Sequence, residues 1–229
     1  MIKKFAKKVV YSFPASVVLM LHRITDNLEE PNSCSLTKDN FEFLLSNFNN
    51  WSSLDDIVNK KIKGKITLTF DDGYFDIYER VYPICKEKNI PFTVFVTYGL
   101  LDTPGYLTKN QVIELSNDPI VTIGSHNVRH LPLPTLSYEE QEKELLNSKI
   151  EIEKLIGKPV NFLAYPYGQN DKRTMKILKK SKAYTHAFIA SGLCYNWCFS
   201  FNKYRLHRLF VADSAVDTYL TKIKKLTVK

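Results

Sequence analysis

Seven short apolar runs, rich in β-branched and aromatic residues, punctuate the chain at 16–22, 65–70, 91–96, 120–126, 161–166, 185–190 and 207–212. Their length and continuity predict buried strands rather than half-exposed ones. Between most of them the apolar positions return every three or four residues, which predicts helices over 37–49, 74–89, 108–117, 137–156, 171–182 and 213–225. Local signals agree. Thr108 with Gln111 and Ser137 with Glu140 have capping-box spacing, and Gly157 followed by Pro159 stops the long helix. Pro83 lies inside the 74–89 pattern and is expected to kink it.

Alternation of strands and helices argues for parallel βαβ units. Seven strands suit an α/β fold, a single-domain distorted (β/α) barrel, with a doubly wound open sheet as the alternative. At 229 residues one domain over 1–229 is expected, its core spanning about 16–212, because two cores would each be small. In a barrel the chemistry gathers where strands end, at the face where the βα loops converge. The residues at those ends are His22, Asp71 and Asp72, His126, Tyr165 to Tyr167, and the neighbourhood of His207.

The formal charge of +8 suits an acidic partner, but the lysines cluster at the two ends and at 179–182 with no nucleic-acid motif beside them. Nucleic acid is therefore not an expected partner. The four cysteines, Cys34, Cys85, Cys194 and Cys198, are too sparse for a disulfide framework, and 194 and 198 have no second pair to complete a metal site. Residues 2–12 could form a basic amphipathic helix touching a membrane surface or a plain capping helix. The basic, apolar start is interrupted by Lys7, Lys8 and Pro14, so a cytoplasmic protein is expected, with membrane association confined to the inner face.

The stretch LTFDDGYFD, 68–76, places two carboxylates where a strand ends. Neighbouring strand residues point to opposite faces, so both reach one pocket only if the chain turns there, and Gly73 makes that turn inexpensive. A hairpin is disfavoured, because Tyr74, Ile77, Tyr78 and Val81 have helical spacing. In SHNVRH, His126 and His130 stand four apart, on one face of a helical turn, where two imidazoles can share a metal. Two histidines and one aspartate make a three-ligand site with an open position. One aspartate would bind the metal and the other would remain free to take a proton.

TFDDG, SHNVRH and FLAYPYG, in that order and spacing, resemble the first three motifs of the polysaccharide deacetylases, carbohydrate esterase family 4 with the NodB-homology fold. The resemblance covers about residues 16–212. It implies a divalent metal, usually zinc, and hydrolysis of an N-acetyl group from an amino sugar. Carried over, it makes Asp71 the catalytic base, Asp72, His126 and His130 the metal ligands, and the backbone N–H of Tyr167 the oxyanion donor. It also implies a general acid, matched by His207 in Leu206-His207. The family's arginine before Pro-Tyr is replaced here by Tyr165, with Arg129 and Arg208 as candidate substitutes. His22 reads as a hydrogen-bonded structural residue, and Trp197 as a wall near the acetyl methyl. The implied substrate is a surface glycan or a nucleotide- or lipid-linked precursor. The alternative is a non-catalytic carbohydrate-binding protein that keeps the metal.

Overall fold

A computed structural model describes residues 16–26, 34–190, 202–213 and 216–227. The amphipathic segment 2–12, Trp197, Cys194 and Cys198 lie outside them. Nine strands occur among the described residues: β1 (Val17–Leu21), β2 (Arg23–Ile24), β3 (Ser35–Leu36), β4 (Ile66–Phe70), β5 (Phe92–Val96), β6 (Val121–Ser125), β7 (Phe162–Ala164), β8 (His186–Ala190) and β9 (Leu206–Phe210). Seven of them close into a barrel in the order β1-β4-β5-β6-β7-β8-β9, every pair parallel, and β9 returns to β1 with Leu19 opposite Leu209. The closed barrel decides against the open sheet. β2 and β3 form a separate parallel pair beyond the end of β1.

Alternation along the strands divides the apolar residues into two sets. Val18, Phe95, Phe162, Ala164, Phe188 and Leu206 meet one another inside the barrel, with Leu54 packed onto them. Val17, Leu19, Leu21, Leu68, Phe70, Val94 and Ile123 face outward and pack under the helices. This two-sided burial explains why the strands read as continuous apolar runs. Gly124 on β6 leaves room inside, since a Cβ there would come within 2.5 Å of the Phe95 ring. The inward positions of β4 and β5 include Thr67, Thr69 and Thr93, all fully buried, so the barrel interior turns polar toward the residues that follow β4.

The helices are α1 (Lys38–Ser46), α2 (Leu54–Val58), α3 (Tyr82–Glu87), α4 (Lys109–Asn117), α5 (Tyr138–Ile156), α6 (Lys172–Ser181) and α7 (Val216–Thr227). Both expected capping boxes form, at Thr108 and Ser137, and Gly157 ends α5 in the left-handed conformation. The pattern over 74–89 is not one kinked helix. Ile77–Val81 is a wide π-type turn in which the Tyr82 N–H bonds back to Ile77 O, and Pro83 sits in the first turn of α3. Proline has no N–H to continue the ladder but suits a first turn, so the register changes there. The short α2 was not expected. No helix among the described residues is long and apolar enough to cross a membrane.

Candidate metal centre and active site

β4 ends at Phe70 and the chain immediately turns. Asp72 and Gly73 both adopt positive φ, 72° and 83°, and the Gly73 N–H bonds to Asp71 O at 2.9 Å. Asp71 keeps the inward direction of Thr67 and Thr69. The reversal at Asp72 brings the second carboxylate into the same end of the barrel, as the turn argument requires. Left-handed backbone costs a non-glycine residue about 1–3 kcal/mol and persists where the surroundings hold it.

β6 delivers His126, and the loop after it delivers His130. That loop is not the helical turn expected from the spacing, because Asn127 and His130 have positive φ, 64° and 56°. Buried Glu144 of α5 holds it instead, accepting the Val128 and Arg129 N–H groups at 2.9 Å each and pairing with the Arg129 side chain at 2.5 Å. Arg129 is thereby committed to the loop.

The Nε2 atoms of His126 and His130 lie 3.2 and 3.0 Å from the same Asp72 oxygen, Oδ1. One donor atom from each of the three residues falls within 4.8 Å of the others. The Nδ1 of His126 is 2.8 Å from Ala164 O. A carbonyl only accepts, so Nδ1 carries the proton and Nε2 presents its lone pair to the carboxylate. Neither imidazole approach has the geometry of a hydrogen bond, and Asp72 Oδ1 is buried without a partner. Converging lone pairs repel unless a cation sits among them, so this donor set fits a divalent ion. Two imidazole nitrogens and one carboxylate oxygen suit zinc, with a position left open.

Asp71 is not one of the three donors. Arg208, fully buried on β9, donates from Nη1 to Asp71 Oδ1 and from Nη2 to Oδ2, both at 2.6 Å, and from Nη1 to Thr69 Oγ1 at 3.1 Å. Its guanidinium lies 5.2 Å from the centre of the Phe95 ring. Burial alone would raise the Asp71 pKa, but the charges of Arg208 and His126 outweigh it and hold the carboxyl below its ordinary value. Of the two candidate substitutes for the arginine absent before Pro166, Arg208 is the one that pairs with Asp71.

This pairing also moves His207 away. Adjacent strand residues face opposite sides, and with Arg208 pointing into the barrel, His207, paired across to Ile189, points out of it. The structure therefore does not bring His207 to the cluster. The histidine beside the two aspartates is His22, at the end of β1. It packs edge-on against Phe210 with centroids 5.7 Å apart, and its Nδ1 is buried without the hydrogen-bond partner the sequence reading expected. Burial lowers its pKa, while the Asp71 and Asp72 charges oppose that shift. The signal for it was its position at a strand end.

Tyr167 lies in the loop after β7 with φ 56° and ψ 12°. In this loop Gly168 N–H bonds to Tyr165 O at 2.8 Å and Gln169 N–H to Pro166 O at 3.1 Å. The Tyr167 ring is 60% exposed and sits 4.8 Å from the His130 ring, which places the residue at the rim of the three-donor cluster. Tyr165 is fully buried, with its hydroxyl bonded to Tyr204 O at 2.8 Å. It is a core residue and does not replace a guanidinium.

A closed parallel barrel with an Asp-His-His cluster and a separate arginine-held aspartate at the loop end defines a metal-binding (β/α) barrel of hydrolase type. The polysaccharide deacetylase family profile matches residues 58–186, more than half of the chain, and the chain belongs to that family. YxkH of Bacillus subtilis (strain 168) is 30% identical over 116 residues, which are 51% of this chain and 41% of that protein. The match thus spans less than half of YxkH. The poly-β-1,6-N-acetyl-D-glucosamine N-deacetylase of Staphylococcus aureus is 24% identical over a 249-residue alignment covering 92% of this chain and 83% of that one. Among solved structures, a polysaccharide deacetylase from Bacillus cereus superimposes with a TM-score of 0.78 at 24% identity, covering 91% of this chain and 69% of that one. The Streptococcus pyogenes deacetylase PplD, in complex with acetate, gives 0.76 at 22% identity over 92% and 99%.

Proposed function

We propose that the chain is a metal-dependent N-deacetylase that hydrolyses the N-acetyl group of an amino sugar in a glycan or its precursor. The observation that carries this reading is Asp71. A site that only held a metal would need the three donors and nothing more, whereas here a second carboxylate stands beside them, outside the donor set and oriented by Arg208. The names of the Staphylococcus aureus and Streptococcus pyogenes relatives support the chemistry.

In this reading Asp72, His126 and His130 hold one divalent ion, taken as zinc. When bound, it would polarise the acetyl carbonyl and lower the pKa of a water beside it. Asp71, kept ionised by Arg208, accepts the proton of the attacking water. The two-pronged bond from Arg208 fixes the carboxylate plane, so that proton transfer costs little reorientation. The Tyr167 N–H faces the developing oxyanion and donates to it. His22, half-buried beside both aspartates, delivers a proton to the departing amine, the role the sequence had assigned to His207. Within the substrate class, the +8 charge favours a phosphate-bearing precursor met at the inner face of a membrane.

The test is acetate release from β-1,6-linked N-acetylglucosamine oligomers and from lipid- and nucleotide-linked N-acetyl sugars, by wild type and Asp71→Asn, with metal content measured on both. Asp71→Asn should keep its metal and lose activity by about 10²–10⁴-fold. Wild-type protein that binds metal but releases no acetate from any of them would make it a binding protein instead. Activity on the free polymer with none on the linked precursors would overturn the precursor and its location.

A further inference from the structure

We propose that Glu144 and Ser148 of α5 are positioning residues for the metal site: they clamp the loop from Asn127 to Arg129, and through it set where His130 stands and how tightly the ion is held. This rests on the metal-dependent reading above and adds residues outside the donor set. The three donors are not anchored alike. Asp72 follows directly from β4, and its carbonyl accepts the Thr97 N–H at 3.3 Å. His126 continues β6, with its N–H bonded to Val96 O at 2.9 Å and its Nδ1 to Ala164 O at 2.8 Å. His130 has neither a strand nor such a bond among the described residues; its ring meets Asp72 and the rings of His126 and Tyr167. Its place is therefore fixed by the three residues that link it to His126. Asn127 and His130 both adopt left-handed backbone, which residues other than glycine keep only where their surroundings hold them.

The long helix supplies the hold. Glu144 and Ser148 stand four residues apart, on one face of α5, and both are buried. The Val128 and Arg129 N–H groups go to the same Glu144 oxygen, Oε2, at 2.9 Å each, while Oε1 takes Arg129 Nε at 2.5 Å. Ser148 Oγ donates to Asn127 O at 3.0 Å, so its lone pair faces the hydroxyl of Ser125, the last residue of β6, at 2.8 Å. One helix face thus binds three consecutive loop residues and the strand end before them. On the loop's other flank the Tyr98 and Gly99 N–H groups donate to Asn127 O and Val128 O at 3.1 and 2.9 Å. That second grip is made by backbone alone, so the grip that side-chain identity controls is the one from α5. Its central bonds are charge-assisted and stronger than neutral ones, and truncating Glu144 leaves both amides without their acceptor.

The experiment measures zinc affinity, by competition with a chelator of known affinity, for wild type, Glu144→Ala, Glu144→Gln, Ser148→Ala and Glu153→Ala, beside urea unfolding of each protein without metal. Removing a group that orients a metal ligand typically costs about 10–100-fold in affinity, and Glu144→Ala should lose that much. Glu144→Gln keeps one acceptor oxygen for both N–H groups and should recover most of the loss. Ser148→Ala should weaken zinc by about tenfold. Glu153 is the control, because it lies on the same helix but accepts the Val160 N–H, at 2.8 Å, ahead of β7 and at the other end of the barrel. Glu153→Ala should lower stability and leave zinc affinity at the wild-type value. Unchanged affinity in Glu144→Ala, or a loss that Glu153→Ala matches, overturns the clamp while leaving the metal reading in place. If Glu144→Ala does not fold, Ser148→Ala decides: weaker zinc binding supports the clamp, and wild-type binding overturns it. A wild type that binds no zinc overturns the metal reading and the clamp with it.

Discussion

Arg208→Met tests whether the cross-barrel ion pair holds the candidate base. The guanidinium has no exposed surface, and Asp71 is 2% exposed, so the substitution strands a carboxylate where water cannot replace its partner. Two charge-assisted hydrogen bonds of 2.6 Å disappear. Hydrogen bonds to charged groups contribute about 1.5–3 kcal/mol each, and breaking a buried ion pair from one side costs about 3–5 kcal/mol. We expect a loss of about 4 kcal/mol for Arg208→Met and a similar loss for Asp71→Leu, which strands the cation instead. The double variant removes both desolvation penalties and should lie within about 2 kcal/mol of wild type. The coupling energy is then at least about 6 kcal/mol. Urea unfolding in the presence of a chelator measures it without metal binding adding to the native state.

The sign of the pH dependence supplies a second reading of the same pair. In the wild type the Asp71 carboxyl is held below its ordinary value. Its contribution to stability is therefore present above the unfolded carboxylate pKa of about 4 and is lost as pH falls toward the lower folded value. Without Arg208, burial dominates and the folded pKa rises. Arg208→Met should then be most stable in acid and lose stability as pH rises through the new value. Additive single variants costing under about 1 kcal/mol each would refute the reasoning, since that is how an exposed pair behaves.

Asp72→Ala and His126→Ala should each abolish the single metal equivalent per chain found in wild type, read by mass spectrometry; metal retained in either removes that residue from the donor set. Gly168→Ala forces a Cβ to within 2.5 Å of Ala190 N at a φ of +68°. It should displace the Tyr167 N–H and lower kcat by about 10²–10³-fold with metal content unchanged, and full activity would remove that N–H from the mechanism. His22→Gln should lower kcat by about 10²-fold or more while His207→Gln leaves it near wild type, and the reverse order would restore His207 as the acid. Asp76, with a folded pKa of about 6 against an ordinary 3.8, holds its extra proton between those values. Its contribution is full below about pH 4 and lost as pH rises through about 6. Asp76→Asn should flatten that slope and stabilise the protein by about 1–3 kcal/mol at pH 7, and an unchanged slope by equilibrium unfolding would refute it.

The barrel was legible because its strands are buried on both faces and therefore carry no polar alternation to confuse with helical spacing. β4 and β5, ITLTF and FTVFV, also show what composition conceals. Their threonines look like ordinary strand formers, but Thr67, Thr69 and Thr93 are the polar lining beneath Asp71. The capping boxes at Thr108 and Ser137 were readable since each is closed within four residues. The π-type turn at Ile77–Val81 was not, because it depends on how the chain accommodates a missing N–H at Pro83, and a kinked helix satisfies the same pattern.

The site was readable where its chemistry is local and hidden where it depends on closure. Asp71, Asp72, His126 and His130 stand out by residue type and spacing, even though the loop that carries His130 uses left-handed backbone that the spacing alone misreads as helical. Arg208 is 137 residues from Asp71, and its role follows only when β9 closes on β1. Closure also fixes which of two adjacent residues, His207 or Arg208, faces inward, and a shift of one residue in register exchanges them. The inward position falls to Arg208, and its cation fills the barrel beneath the base. That side of the site is then already occupied by a fixed positive charge, which disfavours a second protonated group there. His22, at the end of the neighbouring strand β1, still feels that charge: burial and Arg208 lower its pKa while Asp71 and Asp72 raise it, so its capacity to carry the proton depends on the two aspartates being ionised, and its Nδ1 has no hydrogen-bond partner.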